Sequence, residues 1–162
     1  MRSFVAILLV LVVVTPLIAE EKKDAAFLQD ILERQCKAIT EEDLDTYDDT
    51  LHPDCARAAD TIATLAWLND SYDVKVTLEK FTLLDTYMDG QRALVFTRIR
   101  TVKVAGPQFT DNVARDVYEF RKSKGRWYMY GTVANHITPV KQVTLRTKLS
   151  PLSQIAPPPF HK

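Results

Sequence analysis

The sequence predicts an α+β domain in which N-terminal helices pack in the concave face of a strongly curved antiparallel sheet. Apolar residues recur at helical spacing up to Leu68 and alternate with polar residues from Tyr72 onward. The strand-like runs are separated by turn signals at Asp89-Gly90, Ala105-Gly106-Pro107 and Ser123-Lys124-Gly125. Helices followed by hairpin-connected strands lie on one face of their sheet.

Residues 1–19 have the layout of a secretory signal peptide. A short positive start precedes an apolar run from Phe4 to Val14, and Ala19 offers a small residue ahead of the charges that begin at Glu20. The alternative is an uncleaved membrane anchor, although Phe4 to Ala19 is shorter than the roughly 20 residues that a spanning helix needs. We therefore expect an exported protein, either periplasmic or secreted. The alternative is a protein anchored in the membrane by residues 1–19, and this anchor would be its only contact with a membrane.

The rest of the chain divides into a domain at residues 20–136 and a proline-containing tail at residues 137–162. The chain carries 21 basic and 21 acidic side chains, so its charge does not predict nucleic acid as a partner. In the tail, apolar and polar residues alternate from Val140 to Leu145, as they do in a short strand. The prolines beyond Ser150 predict an extended end.

Three helices are predicted before the sheet. The first runs from about Lys23 to Ile39, where apolar side chains recur on one face. Thr40 is the expected cap of a short second helix, which His52-Pro53 ends. The third runs from Ala56 to about Leu68.

Four strands follow. The first starts at Tyr72, and a change in its alternation at Lys80-Phe81 predicts a β-bulge. The second follows the Asp89-Gly90 turn. The third, from about Thr110 to Lys122, has one face composed of Ala114, Asp116, Tyr118 and Phe120, and the fourth runs from Arg126 to about Asn135.

This order of elements, with three phrases inside it, resembles the nuclear transport factor 2-like superfamily, also called the SnoaL-like or cystatin-like α+β cone. The phrases are Glu42-Asp43-Leu44-Asp45 leading to His52-Pro53-Asp54, then Ala93-Leu94-Val95-Phe96-Thr97, then Val117-Tyr118-Glu119-Phe120-Arg121-Lys122 followed by Gly125-Arg126-Trp127-Tyr128. The resemblance covers residues 24–135. It implies a cone-like sheet around the helices and a homodimer formed through that sheet.

The resemblance does not fix an activity, because enzymes, transport adaptors and ligand binders share this fold. Ketosteroid isomerase-like members place a tyrosine on the first helix, and this chain has none there. Asp60 lies near the position of a general base, but an exposed carboxylate at a helix start is the simpler interpretation. The sequence assigns no catalytic residue.

Epoxide hydrolase-like members use two aspartates and an arginine. The strands contain four residues that could imitate this trio: Asp85, Arg98, Arg115 and Asp116. Exposed cross-strand ion pairs are the simpler explanation for all four.

The sequence predicts neither a metal site nor a cofactor. His52, His136 and His161 are widely separated and lack the spacing of metal ligands. No glycine-rich phosphate loop occurs in the sequence.

Two further groups of side chains carry predictions. Cys36 and Cys55 form a candidate disulfide, because an oxidising compartment lets thiols pair; two separate core thiols are the alternative. The candidate lining of a pocket between helices and sheet consists of Tyr47, Trp67, Tyr118 and Tyr130. Packing in the core is the alternative role for these rings.

The expected function is non-catalytic binding, by an exported domain, of a small apolar ligand or of a protein partner. The alternative is a small cavity enzyme of the ketosteroid isomerase-like type, acting as an isomerase, lyase or hydrolase.

Overall fold

The computed structural model describes the backbone of residues 3–140 and the side chains from residue 22 onward. It confirms the predicted α+β cone, with helices packed against one four-stranded antiparallel sheet of order β1-β2-β3-β4. The elements are α1 Ser3–Glu41, α2 Leu44–Asp48, α3 Ala58–Ser71, β1 Asp73–Tyr87, β2 Arg92–Ala105, β3 Asn112–Ser123 and β4 Arg126–Pro139.

Helix α1 supplies the centre of the core. Its buried side chains, Leu28, Ile31, Leu32, Gln35 and Cys36, recur at the spacing of one helical face. They pack against the buried side chains of the sheet, which include Ala93, Val95, Phe120, Trp127 and Met129. The described part of the helix, from residue 22 onward, thus lies in the concave face because its apolar stripe points there.

Irregular pairing bends the sheet around this helix. The β1–β2 register shifts between Leu78 and Lys80, which confirms the bulge predicted at this point. Two further shifts in the β3–β4 pair leave Tyr130 and Val133 without a paired residue. Each bulge increases local twist and bend, so these long strands curve instead of forming a flat sheet.

The β2–β3 turn is held against the end of α3. Gly106 has a φ of +105°, and a Cβ at this position would lie 2.8 Å from the backbone oxygen of Ser71. The close approach of the two backbones therefore requires glycine.

Several boundaries differ from those predicted. The backbone of α1 is already helical from Ser3, so the predicted leader and the first helix of the domain are continuous. Asp43, not Thr40, caps α2, because its carboxylate accepts hydrogen bonds from the backbone N–H and the hydroxyl of Thr46. Thr40 instead accepts a hydrogen bond from the backbone N–H of Val76 in β1.

The C-terminal boundary also moves. Strand β4 continues to Pro139, three residues past the predicted domain end at 136, because Ile137 and Thr138 pair with Ala114 and Val113. The predicted alternation from Val140 to Leu145 lies, after its first residue, outside the described residues. Among residues 22–140, no helix is long and apolar enough to cross a membrane.

Candidate functional site

An open cleft lies between the segment that follows α2 and the β3–β4 pair. We term it the outer cleft. It has a volume of about 450 Å³, and its walls include Tyr47, Leu51, Tyr118, Met129 and Tyr130. The walls are mostly aromatic and aliphatic, and the rim carries polar side chains.

A smaller space, termed the inner cavity, lies deeper between α1, α3 and the sheet. It has a volume of about 140 Å³, with Gln35 and Cys36 of α1 on one side and Asp116 and Tyr118 of β3 on another. Tyr47 and Tyr118 line both spaces. The inner cavity and the outer cleft therefore adjoin at these two residues.

Asp116 is a buried acid at the wall of the inner cavity, with only 3% of its surface exposed. The Tyr118 hydroxyl donates to its Oδ2 at 2.8 Å, and the Asn135 amide donates to its Oδ1 at 2.5 Å. Both donors are neutral groups. The carboxylate is thus held by hydrogen bonds that satisfy part of its acceptor capacity without neutralising its charge.

Thr97 lies opposite Asp116 on the neighbouring strand. Directly opposed residues of an antiparallel pair project from the same face of the sheet. The Thr97 side chain is fully buried, and its hydroxyl has no hydrogen-bond partner among the described residues. A buried polar group without a partner is costly, so this part of the core keeps unused hydrogen-bonding capacity next to the acid.

The environment keeps the neighbouring phenols and thiol protonated. Burial raises the pKa of Tyr118 far above its usual value, and the negative charge of Asp116 and the hydrogen bond to it raise it further. Burial likewise raises the pKa of Tyr47 and raises that of the Cys36 thiol to about 11. Tyr118 is therefore a permanent donor to Asp116 at physiological pH.

Buried hydrogen bonds fix the helix side of the cavity. Gln35 donates from its side-chain amide to the Thr50 hydroxyl at 2.7 Å. The Thr50 hydroxyl in turn donates to the backbone oxygen of Tyr47 at 2.6 Å. This chain of bonds ties α1 to the backbone of Tyr47 in α2.

The structure brings three of the four predicted pocket residues to the outer cleft: Tyr47, Tyr118 and Tyr130. Trp67 lies elsewhere. Its side chain is 61% exposed, and its ring meets the edge of Tyr72 with centroids 6.1 Å apart.

The predicted disulfide is not formed in the structure. Cys36 is a buried free thiol and Cys55 a partly buried one. Cys36 lines the inner cavity and Cys55 lines the outer cleft, whereas Tyr47 lines both. The two cysteines thus face different spaces.

The predicted surface role of the strand charges is wrong for Asp116, which is buried on the concave face. The predicted cross-strand ion pair is confirmed for Arg98, which pairs with Glu79 of β1 at 2.8 Å, and Arg115 donates to the Thr138 hydroxyl. Asp85 is exposed, and so is Asp60 in the first turn of α3. The trio of two aspartates and an arginine is therefore not assembled.

A larger groove of about 750 Å³ lies on the other side of α1, facing the β3–β4 turn. Its base is occupied by the Asp24 carboxylate, which accepts hydrogen bonds from Trp127 and Lys122. Charges of both signs line it, including Lys23, Asp30 and Arg34. We regard it as a solvated seam between helix and hairpin, because charges of both signs line it and its basal acid, Asp24, is already paired with Lys122 and Trp127.

His52 and His136 stay apart from the inner cavity, and His161 lies outside the described residues. His52 packs its ring edge-on against Tyr128 and Tyr130, and His136 lies opposite Arg115 in the sheet. Within the described side chains, no three metal-ligating residues come together. The chemistry available in the inner cavity is therefore that of Asp116 and its hydroxyl and amide neighbours.

Solved structures share this fold. An uncharacterised cystatin-like protein from Caulobacter vibrioides is 17% identical, with a TM-score of 0.58 over 75% of this chain and 92% of that chain. A protein described as a dehydratase of the NTF2-like family, from Streptomyces avermitilis, is 15% identical, with a TM-score of 0.57 over 74% and 98%. The hexachlorocyclohexane dehydrochlorinase LinA-type3 from Novosphingobium barchaimii is 13% identical, with a TM-score of 0.58 over 77% and 95%.

These similarities establish the nuclear transport factor 2-like fold and do not by themselves transfer an activity. Sequence comparison found no match among curated proteins. Residues 30–140, which include α2, α3, the whole sheet and both spaces described above, match the family described as the C-terminal domain of anti-sigma-I factor RsgI9. This chain therefore belongs to the RsgI9 C-terminal domain family.

Proposed function

We propose that this chain is an exported, non-catalytic binding domain that holds a small amphipathic molecule in the outer cleft and the inner cavity. The observation that carries the proposal is that the two spaces adjoin at Tyr47 and Tyr118, which line both. A ligand can place an apolar body against the aromatic walls of the cleft and a small polar group beside Asp116.

The dimensions support this proposal. Ligand sites have volumes of roughly 300–1,000 Å³, mostly apolar walls and a few well-placed polar groups. The outer cleft, at about 450 Å³, falls in this range. The inner cavity, at about 140 Å³, has space for only a few atoms, since one water occupies about 30 Å³ of liquid.

The family supports a regulatory role over a metabolic one. Its name is that of a domain within an anti-sigma factor, which is a regulatory protein. Binding without turnover suits such a domain. Residues 1–19 support export, and N-terminal sequencing of the secreted protein should find a chain that begins near Glu20.

A ligand screen by thermal denaturation of the exported protein tests the proposal, because a bound molecule raises apparent stability by mass action. Thr132 lines the outer cleft and is exposed, so Thr132→Trp should fill the cleft without disturbing the core. Ala134, also exposed and not among the cleft residues, provides the matched variant Ala134→Trp. Amphipathic hits should stabilise the wild type and Ala134→Trp, and should lose their effect on Thr132→Trp. Hits that stabilise all three equally would show that binding occurs elsewhere.

A cavity enzyme is the second candidate. The observation in its favour is the buried pair of Asp116 and Tyr118, in a fold shared with a protein described as a dehydratase and with a dehydrochlorinase. Asp116 would serve as the base and Tyr118 as a hydrogen-bond donor. Incubating each binding hit with the protein and following its mass decides between the two: turnover that Asp116→Asn abolishes establishes the enzyme, and unchanged hits favour the binding domain.

A protein partner is also proposed, in the form of a homodimer through the sheet. Val133 and Ile137 of β4 are 59% and 58% exposed, which is unusual for large apolar side chains of a strand pair. Light scattering of the exported protein should give twice the chain mass. A mass of one chain would contradict the homodimer.

A further inference from the structure

The only charged side chain that lines the inner cavity, among the residues the structure describes, is Asp116. Its two hydrogen-bond donors are a phenol and an amide. None of the lining residues is a lysine, an arginine or a histidine. The acid is thus buried in contact with neutral groups, and removing a carboxylate from water is costly unless a cation accompanies it.

The rest of the cavity wall also suits a cation. Tyr47 and Tyr118 stand where the cavity meets the outer cleft, and the faces of aromatic rings attract cations. The Thr97 hydroxyl, which is opposite Asp116 in the sheet and has no hydrogen-bond partner among the described residues, is a further oxygen acceptor in the core beside Asp116, although it does not line the cavity. A group with several N–H donors and a positive charge matches these acceptors.

The outer cleft has a different character. Its acid, Glu119, is already paired: its carboxylate lies 2.8 Å from Arg121 and 3.5 Å from Arg92. Nearby Met129, Leu51 and Tyr130 present apolar surface. Arg57 also lines the cleft, and its positive charge disfavours a cation there. The cleft therefore accepts the apolar body of the ligand, whereas the inner cavity accepts its cationic end.

We propose that the inner cavity recognises the ammonium group of a small organic amine whose apolar body lies in the outer cleft. This inference rests on the proposed ligand-binding function and specifies its ligand class. Asp116 is the recognition residue, and its role is to bind the cation.

Three probes of equal chain length separate charge from apolar contact: hexylammonium, 1-hexanol and hexanoate at pH 7. Their affinities for the exported protein can be measured by isothermal titration calorimetry. Charge-assisted hydrogen bonds are about twice as strong as neutral ones, so hexylammonium should bind at least about tenfold more tightly than hexanol. Hexanoate should bind most weakly, because its charge repels Asp116.

Two substitutions of similar shape assign the preference to one acid. Asp116→Asn should abolish the advantage of hexylammonium over hexanol, and Glu119→Gln should leave it unchanged. Loss of the preference in Glu119→Gln, with retention in Asp116→Asn, would overturn the assignment. Circular dichroism verifies that each variant is folded.

If Asp116→Asn does not fold, Tyr118→Phe gives an independent answer. It removes a donor from Asp116 while keeping the charge and the ring, so the preference for hexylammonium should persist or increase. A preference that disappears in Tyr118→Phe would contradict the inference.

The outcomes also distinguish a failure of ammonium recognition from a failure of the proposed ligand-binding function. Equal binding of hexylammonium and hexanol would overturn ammonium recognition and leave the ligand-binding proposal intact. Failure of all three probes to bind at millimolar concentration would overturn both for ligands of this size.

Discussion

Replacing Asp24 should show how the first helix of the domain is attached to the sheet. Its carboxylate accepts a hydrogen bond from the Trp127 indole N–H at 2.8 Å and lies 3.1 Å from the Lys122 ammonium, with 16% of each ionic side chain exposed. If the leader is cut after Ala19, Asp24 becomes the fifth residue of the chain. This contact would then hold the new N-terminal turn of α1 against the β3–β4 turn.

The magnitude follows from what each substitution leaves behind. Asp24→Ala leaves the N–H of Trp127 without its partner in a side chain that is only 4% exposed, which costs about 1–3 kcal/mol. Loss of the partly exposed ion pair adds at most about 1 kcal/mol. We expect Asp24→Ala to lower the free energy of unfolding by about 2–3 kcal/mol. Asp24→Asn keeps an oxygen for Trp127 and should cost about 1 kcal/mol or less.

Urea denaturation of the exported protein measures these differences. Asp30→Ala is the control, because Asp30 is an exposed aspartate of the same helix and no hydrogen bond of its side chain ties it to the sheet in the described structure. The reasoning is refuted if Asp24→Ala and Asp30→Ala differ by less than about 0.5 kcal/mol, which is near the scatter expected for surface substitutions.

Two further predictions concern the turns and the buried acids. Gly106→Ala should destabilise the protein by more than about 2 kcal/mol, because the new Cβ adds both backbone strain at positive φ and a clash with the backbone oxygen of Ser71. Gly90→Ala is the control, since at φ +73° it adds strain but its Cβ has no atom within 4 Å. Equal unfolding midpoints of the two variants in urea would contradict this. The free energy of unfolding should also fall as the pH rises from 9 to 11. In the unfolded chain the Cys36 thiol loses its proton near pH 9, whereas burial raises its pKa in the folded protein to about 11. The unfolded state therefore binds fewer protons than the folded state in this range, and rising pH favours unfolding. Tyr47 and Tyr118, whose pKa values are also raised by burial, extend the loss above pH 10. Urea midpoints that do not change between pH 8 and 10.5, or a Cys36→Ala variant with the same slope as the wild type, would refute it.

Local sequence patterns were sufficient to predict the helices, the strands and one of the bulges. The helical spacing of Leu28, Ile31 and Leu32 predicts the buried stripe of α1, and the structure buries all three. The change of alternation at Lys80 predicts a bulge that the strand register contains. The spacing of apolar residues and the residue types found in turns are local properties of the chain, so a single sequence is enough to predict the elements that they form.

The principal site residue was available in the sequence but was assigned the wrong environment. Asp116 alternates with Arg115 and shares a face with Tyr118 and Phe120. That alternation places it on the core side, whereas its residue type suggested the surface. Phe120 is fully buried. Asp116 lies four residues earlier in the same strand, so its side chain projects from the same face as that of Phe120. Periodicity was therefore the better guide than polarity.

The sequence by itself determined the order of helices and strands, the turns and the buried face of α1, because these depend on residues near each other in the chain; the cone followed from the family resemblance. Only the tertiary structure decided that Tyr47 and Tyr118 meet at the boundary of two spaces, that Trp67 lies away from them, and that no basic side chain among the described residues lines the cavity beside Asp116. Those facts depend on how far α3 stands from the sheet and on where bulges bend it. Both are set by packing between segments distant in sequence, which no local pattern records.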